Sequence, residues 1–265
     1  MVLRRIALRW ALLLVSIFGC TSNLSPSSLH MSWPNEPAGL KVLTDWGFDQ
    51  PPPSAGDVPI GGSPGWHIVF DPPPSLGARG TIARTSDDAA PASPPNVYDI
   101  VFPRGMIEGT APATLYYENF STTEIYAAFW WKPSSPFDLG PNGNKIAFLF
   151  NGGGGSGGQQ FLILKPDGRL HVLPEYPGDF RWRDPNVNAT AVALGAWHQI
   201  EWHANLDSGR LEWWLDQALQ GRYDDVRNPH AFDQFEFSPT WGGNTGAAKR
   251  ETDHYWLDHV HLSIR

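Results

Sequence analysis

Apolar and polar positions along this chain alternate in short bursts, and the bursts recur from residue 65 to the end. The clearest are "GWHIVF" (65–70), "VYDIVFP" (97–103), "ATLYYENF" (113–120), "EIYAAFWWK" (124–132), "KIAFLF" (145–150) and "QQFLILK" (159–165). They continue with "RLHVLP" (169–174), "WHQIEWHANL" (197–206), "RLEWWLDQ" (210–217), "FDQFEFS" (232–238) and "HYWLDHVHLSI" (254–264). They are short β-branched and aromatic runs lying between turn signals, the pattern of half-buried strands separated by turns. Prolines recur from Pro34 to Pro239, and no long stretch free of breakers keeps a helical spacing, so no helix is expected beyond the first 20 residues. "KPDG" (165–168) and "LDSG" (206–209) read as hairpin turns in which glycine supplies a positive φ. The pattern predicts an all-β protein, a sandwich or a barrel.

The hairpin 197–217 carries the most informative alternation. With Ser208 and Gly209 as the turn, Leu206 faces Leu211, Ala204 faces Trp213, and Trp202 faces Leu215, which makes one wholly apolar face. The other face then pairs Asn205 with Glu212, His203 with Trp214, and Glu201 with Asp216. A one-residue slip would mix apolar and acidic residues on both faces, so the two faces are well specified. Two acids directly opposite each other repel. They persist with a neighbouring Arg or Lys on a solvated sheet, or as part of a functional face. On the functional reading Glu201, His203, Glu212 and Asp216 are the catalytic candidates. Two carboxylates divide acid and nucleophile or base in a glycosidase, whereas a His or Tyr abstracts the proton beside a uronate carboxylate in a lyase. Trp214 is then a platform for the C–H face of a sugar.

Other candidates are weaker. Trp130 and Trp131 are adjacent, so one points into the sheet's core side and one away; the outward ring is a sugar platform or packs under a loop. Tyr116, Tyr117 and Tyr126 are phenols for acid–base work or core residues. Arg181-Trp182-Arg183 is the densest positive charge; Arg181 either meets a substrate carboxylate or pairs with Asp179 and Asp184. On the last strand His259 and His261 share a face with Tyr255, while Asp258 and His259 point to opposite faces and cannot share one ion easily. The run "NGGGGSGG" (151–158) lies between two strands and lacks a following helix and a Lys-Ser/Thr pair, which excludes a phosphate cradle. Its glycines supply backbone permissiveness and close approach.

Composition changes the picture mainly at the N-terminus. "MVLRRIALRWALLLVSIFGC" has a positive start (Arg4, Arg5, Arg9) and an apolar stretch too short to span a bilayer. It ends in Ile17-Phe18-Gly19-Cys20, which resembles a bacterial lipobox. Cys20 is the only cysteine, so no intrachain disulfide can form, and it stands where an acyl chain would be attached. The expectation is a leader over 1–19, a Ser/Pro-rich tether over 20–40 and one domain over 41–265, secreted across the inner membrane and lipid-anchored to the bacterial envelope. The whole chain has 19 Lys+Arg against 27 Asp+Glu, a net charge of −8; losing the three leader arginines leaves 16 against 27, or −11. Such acidity excludes nucleic acid as a partner and leaves the membrane contact to the lipid alone. The protein is expected to be a monomer.

Three segments carry a family resemblance: "WGFD" (46–49), "GAWHQIEWHANLDSGRLEWWLDQ" (195–217) and "FSPTWGGNTG" with "DHYWLDHVHLS" near the end. Their order resembles the concanavalin A-like lectin/glucanase superfamily, with Gln217 in place of the usual Gly after Trp214-Leu-Asp216. The resemblance implies a two-sheet antiparallel jelly-roll sandwich and polysaccharide as the partner. It also implies a structural calcium near the terminal strand, for which Asp258 with Asp49 is the candidate pair. The glucanase string Glu-x-Asp-x-x-Glu is absent, and Gln199-Ile-Glu201 has Glu where alginate lyases of this fold carry His. Three functions stay open: a lyase-like or hydrolase-like enzyme, a non-catalytic lectin-like module binding through Trp214, Trp130, Tyr126, Arg181, His259 and His261, and a structural envelope protein.

Overall fold

A computed structural model describes residues 33–52, 65–69, 81–152 and 156–265. The leader, Cys20, most of the tether and much of the proline-rich stretch lie outside the described residues. In chain order the strands are β1 (Lys41–Trp46), β2 (Trp66–Val69), β3 (Ile82–Ser86), β4 (Asn96–Phe102), β5 (Thr114–Thr122), β6 (Glu124–Pro133) and β7 (Asn144–Asn151). They continue with β8 (Gln159–Leu164), β9 (Leu170–Glu175), β10 (His198–Asn205), β11 (Arg210–Leu215), β12 (Ala218–Tyr223), β13 (Phe232–Phe237) and β14 (Asp253–Ile264). One sheet has eight strands in the order β12-β11-β10-β6-β14-β4-β3, with β1 also on β14. The second has six, in the order β2-β5-β13-β7-β8-β9.

The protein is therefore an all-β, two-sheet antiparallel sandwich. Its core is the layer between the sheets, where Trp131, Trp202 and Trp213 of the eight-stranded sheet meet Leu149, Leu162, Phe235 and Phe237 of the other. Phe129 and Phe237 touch edge to face across that layer at 4.9 Å. Each fully buried large side chain contributes about 1.5–3 kcal/mol against solvent exposure. All eleven strands expected from alternation are present, and Gly168 and Gly209 take the positive φ expected of their turns.

Three strands were not legible. β1 and β3 are mostly exposed, so their apolar signal is thin. β12 contains Gly221, which reads as a breaker. A Cβ at Gly221 would lie 2.0 Å from the Trp213 ring, so this glycine makes room for a core indole.

Two local geometries correct the sequence reading. The central hairpin turns through four residues, Leu206 to Gly209, because Asn205 Oδ1 accepts the Ser208 amide (2.9 Å) and the Asn205 carbonyl accepts that of Gly209 (2.9 Å). The register moves by two: Trp202 faces Trp213, Ala204 faces Leu211, His203 faces Glu212 and Glu201 faces Trp214. The even shift keeps both faces as expected but dissolves the Glu201–Asp216 opposition. In β14 the pairing with β6 slips between Asp258 and Val260, and His259 has a φ of 59°. Before this bulge Tyr255 and Leu257 point inward; after it Val260 and Leu262 do. Tyr255 is thus core and not a partner of His259 and His261. Asp258 and His259 lie on the same side, both reaching Ser93.

Candidate functional site

The face expected to bind sugar is the outer side of the eight-stranded sheet, and it is covered. Residues 33–40, expected as tether, pack across it. Asn35 donates from its amide and Nδ2 to the two oxygens of Glu201 (3.0 and 2.9 Å), and the Tyr126 hydroxyl donates to Glu201 as well. Glu36 accepts from Ser263 Oγ (2.6 Å) and meets His261 Nε2 at 3.2 Å. Trp33 lies 6.1 and 5.9 Å from the rings of His259 and His261. Trp33 and Leu40 also pack with Tyr126, Ala128 and the half-buried Trp130. Of the tandem tryptophans, Trp131 points into the core and Trp130 away from it, as alternation required. Glu201 and Tyr126 are fully buried and Trp214 is 7% exposed. Burial, and then the Glu201 charge, push the Tyr126 hydroxyl far above the usual phenol range.

The remaining acids of this face are held in ion pairs. His203 bridges Glu124 (3.1 Å) and Glu212 (3.5 Å). Glu212 also meets Arg222 (2.5 Å) and Arg210 (3.5 Å), and Glu124 meets Arg265 (2.5 Å). Burial opposes ionisation of Glu212, but its partners His203 and Arg222 outweigh it and hold the carboxyl below the usual range. Asp216 lies beyond β11 with a φ of 51°, taking the Gln199 amide (2.9 Å) and His198 Nδ1 (2.8 Å). Each of these groups is thus engaged by neighbours within the sheet.

The outlying candidates are likewise occupied. Arg181 pairs with Asp179 (3.1 Å) and Asp225 (3.0 Å), while Asp184 pairs with His171 instead. His259 and His261 both reach Asp45 and hold its carboxyl well below the usual range against the opposing effect of burial. Asp258 accepts the amides of Ala92 (2.7 Å) and Ser93 (3.0 Å), and Asp49 accepts from Trp46 Nε1 (3.2 Å). No contact among the described residues joins Asp49 to Asp258, and no group of three or more metal-ligating side chains is found among them. In the Gly-rich run, the described glycines admit the chain's own neighbours: a Cβ at Gly157 would lie 2.6 Å from the His230 Cβ, and one at Gly158 2.6 Å from the Glu175 carbonyl oxygen.

The outer face of the six-stranded sheet is different. One row of cross-strand neighbours runs His67, Tyr116, Glu236, Phe148, Phe161, Leu173, one from each strand. At about 4.8 Å per strand the row is roughly 24 Å long. A second row beside it runs Glu118, Gln234, Phe150, Gln159, Glu175. The first half of these rows is polar. His67 stacks on Tyr116 (5.0 Å between centroids) and lies 3.7 Å from Glu118. Gln234 Nε2 donates to Glu236 Oε1 at 2.5 Å. Burial pushes the Glu236 carboxyl up to about 7; the Gln234 hydrogen bond pulls against this and the Glu118 charge adds to it. Near neutral pH Glu236 is thus both a proton donor and an acceptor. Burial first, then Glu118 and Glu236, raise Tyr116 above the usual phenol range.

The second half is aromatic. Phe148, Phe161, Ile163 and Leu173 form an apolar cluster separate from the core, with Phe150 against it. Phe161, Ile163 and Leu173 of this cluster floor a cavity of about 590 Å³ walled by Trp182, Lys145, Glu175, Asn142 and Asn244. That volume lies within the roughly 300–1,000 Å³ usual for ligand clefts. Trp182 is 41% exposed and meets Phe161 edge-on at 6.0 Å. Sequence reasoning placed "FDQFEFS", "ATLYYENF" and "KIAFLF" on strands and weighed Tyr116. The signal it passed over was that Gln234 and Glu236 alternate with buried phenylalanines, as do Tyr116 and Glu118 with Leu115 and Tyr117.

No protein-family model and no curated protein matches the chain. Solved structures do. An alginate lyase, Aly36B, determined with an alginate trisaccharide, aligns at a TM-score of 0.56 and 12% identity over 83% of this chain and 98% of its own. A structure reported for endo-acting O-glycanases of the human gut microbiota that initiate mucin breakdown aligns at 0.55 and 10% identity, over 85% and 100%. Domain 4 of AbnA, an extracellular arabinanase from Geobacillus stearothermophilus determined with arabinotriose, aligns at 0.51 and 14% identity, over 85% and 93%. These likenesses are of fold alone, the two-sheet antiparallel sandwich described above.

Proposed function

We propose that this protein binds polysaccharide in the groove on the outer face of its six-stranded sheet. The observation that carries the reading is the juxtaposition, on one sheet face, of an acid–base cluster (His67, Tyr116, Glu118, Gln234, Glu236) and an aromatic cavity holding Trp182. Sugars need both, because hydroxyls take directed hydrogen bonds while the C–H faces of the rings pack on aromatics. Three similar folds, of an alginate lyase, of mucin-degrading O-glycanases and of an arabinanase domain, support polysaccharide as the ligand class. The cluster also supplies what cleavage would require: a carboxyl that carries its proton near pH 7, a neighbouring carboxylate, and a phenol beside an imidazole.

A glycan array identifies the ligand, and calorimetry of Trp182→Ala then tests the site. The expected loss is about tenfold in affinity, the worth of one aromatic contact. Unchanged affinity in Trp182→Ala, with loss in Trp214→Ala instead, overturns the assignment. Reducing-end release or ultraviolet absorbance of unsaturated products, abolished in Glu236→Gln, separates an enzyme from a lectin. Cys20 and the leader-like residues before it extend the proposal to a lipid-anchored envelope protein. Cys20→Ser is expected to move the protein to the soluble fraction, and persistent membrane association refutes the anchor.

A further inference from the structure

We propose that the cavity at the aromatic end of the groove is a subsite for a carboxylate-bearing sugar, with Lys145 as its counter-charge and Trp182 as its wall. This rests on the groove reading above and names the ligand chemistry of one part of it. The side chain of Lys145 lies over Phe161 (4.3 Å from Nζ to the ring centre) and Phe148 (5.4 Å) and lines the cavity. Its ammonium has no hydrogen bond or ion pair among the described residues. The contrast with the other enclosed cations is direct. Arg183 holds Asp179 (2.6 Å), Lys249 holds Asp253 (2.6 Å) and Lys132 holds Asp87.

A half-buried cation left with aromatic faces alone is short of an anion, because desolvation of a charge is costly until it is paired. Burial accordingly pulls the Lys145 ammonium below its usual range, and the charge of Glu175 only partly opposes this. Glu175 is itself engaged by Gln159 Nε2. The cavity thus offers one cation, an aromatic wall and the amide groups of Asn142 and Asn244. A sugar carboxylate satisfies the cation, its ring packs on the wall, and its hydroxyls meet the amides. A neutral sugar leaves the ammonium unpaired.

The test is a calorimetric panel of matched oligosaccharides, neutral and uronate, on β-1,4-gluco and β-1,4-manno backbones. It is run on the folded wild type, Lys145→Met and Lys145→Arg, with thermal unfolding as the control for folding. The uronate member should bind roughly tenfold or more tightly than its neutral counterpart. Lys145→Met should erase that preference, and Lys145→Arg should keep it. Equal binding of both members by wild type and Lys145→Met overturns the subsite and leaves the groove standing. No binding of any member by wild type sinks the groove reading, and the subsite with it.

Discussion

Glu236 offers a quantitative handle on the groove through the pH dependence of folding. Its carboxyl ionises near pH 7 in the fold against 4.5 for the free side chain. The folded state therefore binds this proton more tightly than the unfolded state does. Stability from this group is fully present below pH 4.5, falls as pH rises to 7 and is flat above. The difference of about 2.5 pH units corresponds to roughly 3 kcal/mol. Glu236→Gln keeps the shape and a hydrogen-bonding oxygen but cannot ionise. It should match wild type near pH 4.5 and exceed it by about 3 kcal/mol at pH 8. For a domain of this size that is roughly 6–12 °C in Tm. Urea denaturation of both proteins at half-unit pH steps from 4.5 to 8.5 reads the difference directly. Parallel curves, with no gain for the variant between pH 4.5 and 7, would show that Glu236 is solvated like an ordinary carboxylate. The argument for an enclosed acid in the groove would then be wrong.

Two further substitutions test the framework. Gly221→Ala places a methyl group where the Trp213 ring lies, 2.0 Å away, and should cost about 1–3 kcal/mol by overpacking; a neutral result in urea denaturation would mean β12 does not pack as described. Asn35→Ala removes one of the donors to the buried Glu201 carboxylate, at an expected cost of about 1.5–3 kcal/mol. It should also speed proteolytic cleavage between residues 33 and 40, and unchanged stability and cleavage would show that the segment does not dock there.

Alternation and short apolar runs between turn signals located eleven strands, including β6 and β10, which are buried on both faces. Alternation also assigned the two faces of β10 and β11 correctly, since the true register differs by an even number. What it could not supply was anything set by particular side-chain contacts or by shifts in strand pairing. The four-residue turn depends on the Asn205 side chain folding back on Ser208. The bulge at His259 resets the facing of every later residue in β14. The cover over Glu201 comes from Asn35, 166 residues away. Polar residues on a sheet face read alike whether they meet water, a neighbouring segment or a ligand. Glu201 and His203 drew notice as an acid and a histidine beside tryptophan, yet Glu201 is held by Asn35 and His203 by Glu124 and Glu212. Glu236 and Tyr116, with the same alternation, lie instead on the outer face of the other sheet, in the row that runs on to Phe148 and Phe161.

The central claim is that sugar binds the six-stranded sheet and not the eight-stranded one. A crystal structure of the protein with an oligosaccharide selected by array tests it most directly. The account predicts sugar rings along the row from Tyr116 through Glu236 to Phe161, with one against Trp182. Sugar bound instead at Glu201 and Trp214, with residues 33–40 displaced, would contradict it.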